Sequence, residues 1–432
     1  MTAESLVIRG GRALRGVVRV VGGKNNALPI LAAAALAADV SILENVPHCR
    51  DVQMMCEILQ ALGCRIETDA DGHLEIDARQ LTSAHAPAEL CRQIRGSYYA
   101  AGVLLARLRQ FEVGLPGGDA IGSRPIDFHL KGFQALGATV GTEHGYFVGS
   151  ADHLRGTEYL VPRQSVGTTL NLMISATLVP GTTVLLNAAR EPEITDTAVF
   201  LSLMGARIRG AGTSRVVIEG VERLHGASYA IIPDRIEAGT YLIAAAATGG
   251  DVTVESLIPE HVTALLSKLH EAGCDVDAQT DAVRVRALRR PLAIDIDTAS
   301  FPGFATDLQP QLSAMLTVAD GRSVVRERVH EGRFGYTDEL RRLGAEIRVE
   351  GDTAYITSVA SLSGAEVQAL DIRAGAAVVI GGLVADGETR ITSVRHIDRG
   401  YDALDEKLRA LGGDVARVSA CEAGAGAPVP VA

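Results

Sequence analysis

The chain has 432 residues, of which 47% are hydrophobic and 22% are charged, so we expect two or three domains rather than one core. Glycine, proline or charged residues interrupt each apolar run before about 18 residues, which excludes a membrane-spanning helix, and the start, MTAESLVIRG, lacks the pattern of a signal peptide. The formal net charge of −11 argues against broad binding to nucleic acid or to a membrane. Anionic ligands would need a local basic pocket.

The cysteine content predicts a reduced, cytoplasmic protein. There are six cysteines and no CxxC pair, whereas zinc sites and disulfide frameworks show regular cysteine spacing. We therefore expect no metal site.

A short phrase recurs six times along the chain. Apolar residues precede a glycine, and a small residue and a strand-like segment follow it, as in LQALGCRI and LRALGGDV. The glycines are separated by 74, 68, 68, 71 and 68 residues, which is too regular for chance. This spacing predicts an α/β unit of about 70 residues that is used six times. The glycines are Gly63, Gly137, Gly205, Gly273, Gly344 and Gly412.

Each unit is predicted to contain the same elements in the same order. A nearly uncharged stretch of small residues predicts a helix that is buried on every side. A strand follows, then an amphipathic helix that ends at the glycine, where positive φ is expected at C′, and then another strand. The buried helices are NNALPILAAAALAA, SYYAAGVLLARL, TTLNLMISATLV, GTYLIAAAAT, QPQLSAMLTVA and GAAVVIGGLVA, and the strands after them are DVSILENV, QFEVGLPG, TTVLLNAA, DVTVESLI, RSVVRERV and ETRITSVR.

Six such units are too many for one core. Two lobes of three units each are therefore predicted, with the break near Ile232–Arg235. The small, proline-containing residues 421–432 are expected to be a disordered tail.

Charged residues at the starts of the buried helices point to function. Four of the six starts carry a cation, although a cation is unfavourable beside the free N–H groups and partial positive charge of a helix N-terminus. An anion bound between the cation and the helix N-terminus makes this arrangement favourable. The helix starts therefore predict an anion-binding site. In chain order these starts carry Lys24, Arg95, Ser165-Val166-Gly167, Asp234-Arg235, Asp307 and Arg373.

Three loops also carry functional signals. The glycine-rich segment LPGGDAIGSRP contains one acid, Asp119, and one base, Arg124, and its glycines favour a lid that closes over a substrate. NAAREPEITD and HIDRGYD are dense in charge among apolar residues. Both predict paired charges in a cleft.

Taken together, these motifs resemble those of the enolpyruvyl transferases. The matching segments are GGKNNALP, LPGGDAIGSRPID, SVGTT, NAAREPEI, PDRIEAGT, FPGFATDLQPQ, the segment around Arg333, DIRAGAA and HIDRGYDALDEKLRALG. They cover essentially the whole chain. The branch that acts on shikimate 3-phosphate normally begins its first helix with GSKSxSxR, whereas this chain has GGKNNALP. The resemblance is therefore to the branch whose acceptor is UDP-N-acetylglucosamine, a transferase of peptidoglycan precursor synthesis.

The resemblance implies a two-lobe inside-out α/β barrel. Each lobe would contain three βαβαββ units around buried helices whose N-termini face the cleft between the lobes. Lobe 1 would span residues 24–232 and carry the mobile loop 115–125, and lobe 2 would combine residues 1–23 with 233–420. No metal or organic cofactor is implied.

The resemblance also implies phosphoenolpyruvate as the donor. Because this donor has a phosphate and a carboxylate, it requires several cationic side chains. The phosphate would be held by Lys24, Arg124 and Arg399, the carboxylate by Arg333 and Arg373, and Arg95 would add to the pocket. Asp119 would be the general acid and Asp307 a candidate base.

A nucleotide sugar would be the acceptor. The residues that the resemblance assigns to it are Asn25, Arg95, Arg124, Pro125, Ile126, Asp127, Phe128, Arg163, Ser165, Val166, Gly167, Asp307, Val329 and His330.

Asp119 is a departure from most of the family, which has cysteine at this position. A carboxylic acid there serves in proton transfer if its pKa is raised in the closed site. A carboxylate is a much poorer nucleophile toward an epoxide than a thiolate. The sequence therefore predicts insensitivity to fosfomycin.

Further departures leave the acceptor open. GGKN replaces GAKN, RGSYY follows a different pattern from the usual one, and His330 replaces phenylalanine. One alternative is an enolpyruvyl transferase with another acceptor, such as UMP in nucleoside-antibiotic synthesis. Another is a non-catalytic paralogue that only binds a nucleotide sugar, although the complete set of acids and cations favours an enzyme.

Overall fold

The computed structural model describes residues 4–119, 121–122 and 126–419. The predicted tail and the predicted ligand residues Arg124 and Pro125 lie outside these ranges. The described residues form two separate hydrophobic cores: one uses residues 27–231, and the other uses residues 6–20 together with 236–415. The chain therefore has two lobes, and the first is inserted into the second.

Six helices are enclosed by the two cores, and they confirm the six predicted buried stretches. The fourth shows the degree of enclosure, because 12 of its 13 residues are buried. Small side chains allow these helices to pack closely against one another. Their bounds are Lys24–Ala34, Tyr99–Leu108, Val166–Ala176, Arg235–Ala247, Gln309–Leu316 and Ile372–Val384.

Six outer helices end at the repeated glycines, as predicted. All six glycines have φ between +86° and +106°, which glycine adopts at little cost. After Gly63, the Cys64 amide donates to the Leu59 carbonyl at 3.0 Å, which is the hydrogen bond of a Schellman C-cap. The outer helices are Arg50–Ala61, Asp127–Ala135, Pro192–Leu203, Thr263–Glu271, Tyr336–Arg342 and Leu404–Ala410. Shorter helices span Ala88–Cys91, Arg95–Tyr98, Pro259–Val262, Thr306–Leu308 and Arg395–Asp398.

Each unit carries a four-stranded sheet, and in every one a short edge strand pairs in parallel while the other strands pair antiparallel. In spatial order, the sheets of the first lobe are Ser228–Ala230, Val40–Glu44, Leu74–Asp77 and Arg65–Thr68; His85–Ala86, Gln110–Gly114, Tyr146–Ser150 and Thr139–Glu143; and Glu158–Leu160, Thr182–Leu186, Arg215–Glu219 and Arg207–Arg209. Those of the second lobe are Asp275–Ala278, Ala282–Arg286, Asp251–Glu255 and Arg15–Arg19; Ile296–Asp297, Arg322–Arg326, Thr353–Thr357 and Glu346–Glu350; and Glu366–Gln368, Glu388–Thr392, Glu4–Arg9 and Asp414–Ser419. Leu362–Ser363 and Ala385–Asp386 form a further pair.

Strand exchange closes each lobe into a circle of three units. In the first lobe, Ser228–Ala230 of the third unit pairs in parallel with Val40–Glu44 of the first unit. In the second lobe, Glu4–Arg9 inserts between Glu388–Thr392 and Asp414–Ser419. This is the βαβαββ organisation that the resemblance implies, with six separate sheets.

The chain passes between the lobes at two adjacent places. The Gly23 amide donates to the Ile232 carbonyl at 2.9 Å, and the Asp234 amide donates to the Val21 carbonyl at 2.8 Å. The two crossings therefore support each other at the base of the cleft. Among the described residues, none of the helices has the length and apolar character needed to span a bilayer.

Substitutions at two glycines of the first lobe distinguish the cost of backbone strain from the cost of steric overlap. Gly205→Ala is expected to cost about 1–2 kcal/mol, because φ is positive there while the nearest neighbour of a new Cβ, the His225 side chain, lies 3.4 Å away. Gly63→Ala is expected to cost more, because its Cβ would also lie 2.4 Å from the Gln80 carbonyl oxygen. Thermal unfolding checks the order, and equal midpoints for the two variants would contradict it.

Candidate active site

The starts of all six buried helices open onto one cavity of about 660 Å³ between the lobes. The first lobe contributes the starts at Lys24, Arg95 and Ser165. The second lobe contributes those at Arg235, Asp307 and Arg373. The N-termini of helices from six units therefore act on the same ligand space, which favours anions.

Most of the residues predicted for the site line this cavity, but Ile126 and Asp127 do not. These two lie at the start of the outer helix Asp127–Ala135, where Asp127 forms an ion pair with Lys131 at 3.7 Å. The predicted residues that line the cavity are Lys24, Asn25, Arg95, Asp119, Phe128, Arg163, Ser165, Val166, Gly167, Asp307, Val329, His330, Arg333, Arg373 and Arg399.

A cluster of four charged side chains forms one end of the cavity. The Lys24 Nζ donates to Asp51 Oδ2 at 3.1 Å, and the Arg399 Nε donates to Asp51 Oδ1 at 2.9 Å. The Arg399 Nη1 donates to Asp119 Oδ1 at 2.6 Å. Two cations are thus balanced by two carboxylates, and sequence reasoning missed Asp51. Its only sequence signal is an acid in the first turn of an outer helix, which is common at any helix start.

The pKa of Asp119 is lowered in this arrangement. Burial by itself would raise that pKa, but Arg399, Lys24 and Arg373 outweigh burial and hold it below the ordinary value. Arg399 is 280 residues away in the chain, so the sequence did not reveal their contact. For Asp119 to carry a proton, the charge of Arg399 must first be neutralised by another anion.

Asp307 forms a second cluster with two arginines. Its Oδ1 accepts a hydrogen bond from Arg333 Nη1 at 2.6 Å, and its Oδ2 accepts one from Arg373 Nη2 at 3.0 Å. Although burial opposes it, the two guanidinium groups hold the pKa of Asp307 well below its usual range. Arg333 Nε and Arg373 Nη1 are buried and have no hydrogen-bond partner among the described residues. Each arginine therefore has one buried N–H group that makes no hydrogen bond in this arrangement.

The lobes contact each other around the cavity. Arg235 of the second lobe forms an ion pair with Glu193 of the first lobe at 3.1 Å, so the charge-rich segment NAAREPEITD does contribute a pair within the cleft. The Gly332 amide donates to the Ile121 carbonyl at 3.3 Å. The loop that carries Asp119 therefore rests against the second lobe.

Aromatic residues line another wall of the cavity. The rings of Tyr98 and His129 lie 4.5 Å apart, and the guanidinium carbon of Arg95 lies 5.7 Å from the Tyr98 ring. Burial, and to a lesser extent Arg95, lowers the pKa of His129 to about 3, so this imidazole is neutral near pH 7. Ser165 caps the adjacent helix by accepting from the Thr168 amide. This wall suits a ligand that has both a planar ring and a phosphate.

Possible metal ligands converge elsewhere. Within the described ranges, one group of His, Cys, Asp or Glu side chains has its ligand atoms within 4.8 Å of one another, and it consists of Asp69, Asp71 and His73. These residues lie on a surface turn and do not line the cavity.

Comparison with known proteins gives consistent matches over nearly the whole chain. The family model described as EPSP synthase (3-phosphoshikimate 1-carboxyvinyltransferase) matches residues 8–408. UDP-N-acetylglucosamine 1-carboxyvinyltransferase 2 of Symbiobacterium thermophilum is 55% identical, and the match covers 97% of this chain and 99% of that protein. UDP-N-acetylglucosamine 1-carboxyvinyltransferase of Halothermothrix orenii is 48% identical, with 95% and 99% covered.

Solved structures agree with this assignment of fold. The enolpyruvyl transferase NikO from Streptomyces tendae superimposes with a TM-score of 0.87 and 26% identity, covering 97% of this chain and all of that one. An EPSP synthase from Acinetobacter baumannii superimposes with a TM-score of 0.73 and 18% identity over 97% of this chain and 100% of that chain, and bears on the fold alone.

Asp51→Asn tests the balance of charge in the first cluster. Removing one partner from a buried ion pair leaves an uncompensated charge and costs about 3–5 kcal/mol, so we expect a lower melting temperature. Inorganic phosphate should raise the melting temperature of Asp51→Asn more than that of the unmodified protein, because the anion neutralises Lys24 and Arg399. Asp77→Asn is the control, since Asp77 pairs at 2.6 Å with the exposed Arg79. Equal destabilisation of both variants, with equal effects of phosphate, would contradict the interpretation.

Proposed function

Because this chain belongs to the EPSP synthase family of enolpyruvyl transferases, we propose that it transfers the enolpyruvyl group of phosphoenolpyruvate to the 3′-hydroxyl of UDP-N-acetylglucosamine and releases phosphate. The observation that carries the choice of acceptor is the 55% identity, over 97% of the chain, to a relative of that name. The chemistry of the cavity supports it, because cations are available for both anionic groups of the donor. The product would be a precursor of peptidoglycan.

The donor would bind between the two charged clusters. Its phosphate would take the place of Asp119 beside Arg399 and also interact with Lys24, with Arg124 as a third partner on the resemblance alone. Its carboxylate would bind the guanidinium groups of Arg333 and Arg373, both of which line the cavity. The phosphate and the carboxylate of the donor would then lose bound water and gain hydrogen bonds to cations, and every cation of the two clusters would keep an anionic partner.

Donor binding also prepares Asp119 for catalysis. A bound phosphate neutralises the positive charge that lowers the pKa of Asp119, while the burial that raises this pKa remains. The carboxyl group therefore takes up a proton only when the donor is present. Proton transfer from Asp119 would therefore occur only when the donor is bound.

Addition and elimination then follow on the same groups. Asp119 gives its proton to C3 of the donor, Asp307 takes the proton of the acceptor hydroxyl, and the hydroxyl oxygen bonds to C2. A proton then returns from C3 to Asp119, the bond from C2 to the phosphate oxygen breaks, and phosphate leaves with the proton held by Asp307. The donor carboxylate beside Arg333 and Arg373 would offset part of the positive charge that stabilises ionised Asp307, which makes Asp307 a better base.

The nucleotide would lie along the aromatic wall. Amides at the start of the helix Val166–Ala176, together with Arg95 and Arg163, would hold the diphosphate. Asn25, Val329 and His330 would face the amino sugar. An acceptor such as UMP, or a role in binding without catalysis, is less well supported, because the relatives at 48–55% identity carry the UDP-N-acetylglucosamine name.

Phosphate release from phosphoenolpyruvate identifies the acceptor. We expect release with UDP-N-acetylglucosamine and none with UMP, UDP-glucose or shikimate 3-phosphate as the sole acceptor. Arg399→Ala should lower kcat/KM by about 100-fold or more, the usual effect of removing a donor that stabilises developing charge. Arg284→Ala, at a partly exposed arginine that pairs with Asp251 at 2.7 Å and does not line the cavity, serves as the comparison. Release only with UMP, or none with any acceptor, would contradict the proposed function.

Asp119→Cys tests both the loop acid and the resistance to fosfomycin. The variant should retain activity and become irreversibly inactivated, because a thiol beside Arg399 ionises readily and attacks the epoxide. The buried Cys49 and Cys56 should not react, since burial raises the pKa of each to about 12. Peptide mass mapping should place an adduct at position 119 that the unmodified protein lacks. Asp119→Asn should lose most of its activity, because an amide does not transfer the proton. Rapid inactivation of the unmodified protein would contradict the prediction.

A further inference from the structure

A buried carboxylate outside the cavity wall connects two segments of the site. Glu327 follows the strand Arg322–Arg326 and is 2% exposed. Its Oε1 accepts hydrogen bonds from the amides of Val329 and His330 at 2.8 and 2.9 Å. The same oxygen accepts from Thr298 Oγ1 at 2.8 Å, and Oε2 accepts from Thr306 Oγ1 at 2.9 Å. None of these four donors is charged, so Glu327 acts by hydrogen bonding and not by ion pairing.

Thr306 continues this hydrogen-bonded chain into the cavity. Its Oγ1 accepts from Arg333 Nη1 at 2.9 Å, and the same Nη1 donates to Asp307 Oδ1 at 2.6 Å. A hydroxyl group has one hydrogen to donate. Because Glu327 receives that hydrogen, Thr306 presents a lone pair to Arg333.

The direction of the hydroxyl matters for the arginine. Arg333 has donors and no acceptor, so a hydroxyl hydrogen pointing toward it would repel it and leave its Nη1 with Asp307 alone. With the hydrogen on Glu327, Thr306 and Asp307 fix Nη1 from two sides, and the guanidinium plane is held in place. The Nε of Arg333, which is buried and has no hydrogen-bond partner among the described residues, is thereby held in one direction.

We propose that Glu327 is a positioning residue for the transfer reaction. Through Thr306 it orients Arg333 against Asp307, and through two backbone amides it holds the segment Val329–His330 at the acceptor side. The inference rests on the proposed function, since it assigns Arg333 to the donor carboxylate. It adds a residue that lies behind the site and connects the donor and acceptor sides.

Glu327→Gln separates these two connections. Glutamine keeps one acceptor oxygen for the amides of Val329 and His330, but its NH2 group would face Thr306 and turn the hydroxyl hydrogen away. We expect kcat/KM for phosphoenolpyruvate to fall about 10- to 100-fold, the effect of losing a hydrogen bond to a charged group. The KM for UDP-N-acetylglucosamine should change by less than about 3-fold, because the amides keep their acceptor.

Thr306 variants test the relay directly. Thr306→Val removes the hydroxyl at nearly constant volume and should reproduce the loss, whereas Thr306→Ser keeps the hydroxyl and should remain close to the unmodified enzyme. The double variant Glu327→Gln/Thr306→Val should be no worse than Thr306→Val alone, since both changes break the same chain of hydrogen bonds. Losses that multiply in the double variant would overturn the relay.

Glu339→Gln is the matched control for stability. Glu339 is also a buried carboxylate of the second lobe, and it accepts from the Gln368 amide at 2.8 Å away from the cavity wall. Both Glu→Gln variants should melt at lower temperature, but only Glu327→Gln should lose kcat/KM when assayed well below its midpoint. If the unmodified enzyme is active and Glu327→Gln has the same kinetics, only the positioning role is contradicted. If the unmodified enzyme is inactive, the proposed function is contradicted.

Discussion

Neutralisation of buried positive charge is the constraint on which the rest of the structure depends. The side chains of Lys24, Arg333, Arg373 and Arg399 are at most 15% exposed, and isolated cations at such depth would be strongly destabilising. Asp51, Asp119 and Asp307 supply the compensating charge. The cations of the cavity are therefore already paired with carboxylates of the protein. In the proposed reaction, an anionic substrate would enter by exchange with such a carboxylate, which would then become available for proton transfer.

The sixfold repeat explains how so many charges reach one place. Three units arranged in a circle point the starts of three enclosed helices toward the same end of a lobe, and two lobes facing each other bring six starts together. Each start needs only one polar or charged residue to contribute to the cavity. Residues as distant in sequence as Asp119 and Arg399 thus become neighbours without any long-range motif. The same geometry gathers cations in the cleft of a chain whose formal net charge is −11.

Sequence reasoning succeeded where the information is local. Small-residue composition predicted the enclosed helices, and the glycine at each C′ position predicted the ends of the outer ones, because both depend on residues within a few turns. Tertiary contacts lay beyond its reach. The lowered pKa of Asp119 follows from Arg399. Ile126 and Asp127, whose assignment to the acceptor stays a prediction, lie at a helix start and not among the residues that line the cavity. Asp51 and Glu327 belong to no recognisable motif. Their importance depends on which donors the fold places against their oxygens.

The insertion of one lobe into the other has a consequence for biosynthesis. The strands Glu4–Arg9 and Arg15–Arg19 leave the ribosome well before their partners, which are Glu388–Thr392, Asp414–Ser419 and Asp251–Glu255. The first lobe completes its circle once Ser228–Ala230 has emerged, whereas the second lobe waits for the last strand. Unpaired strands are templates for association with other chains. A nascent chain is therefore vulnerable to aggregation until the strand Asp414–Ser419 has emerged and the second lobe can close.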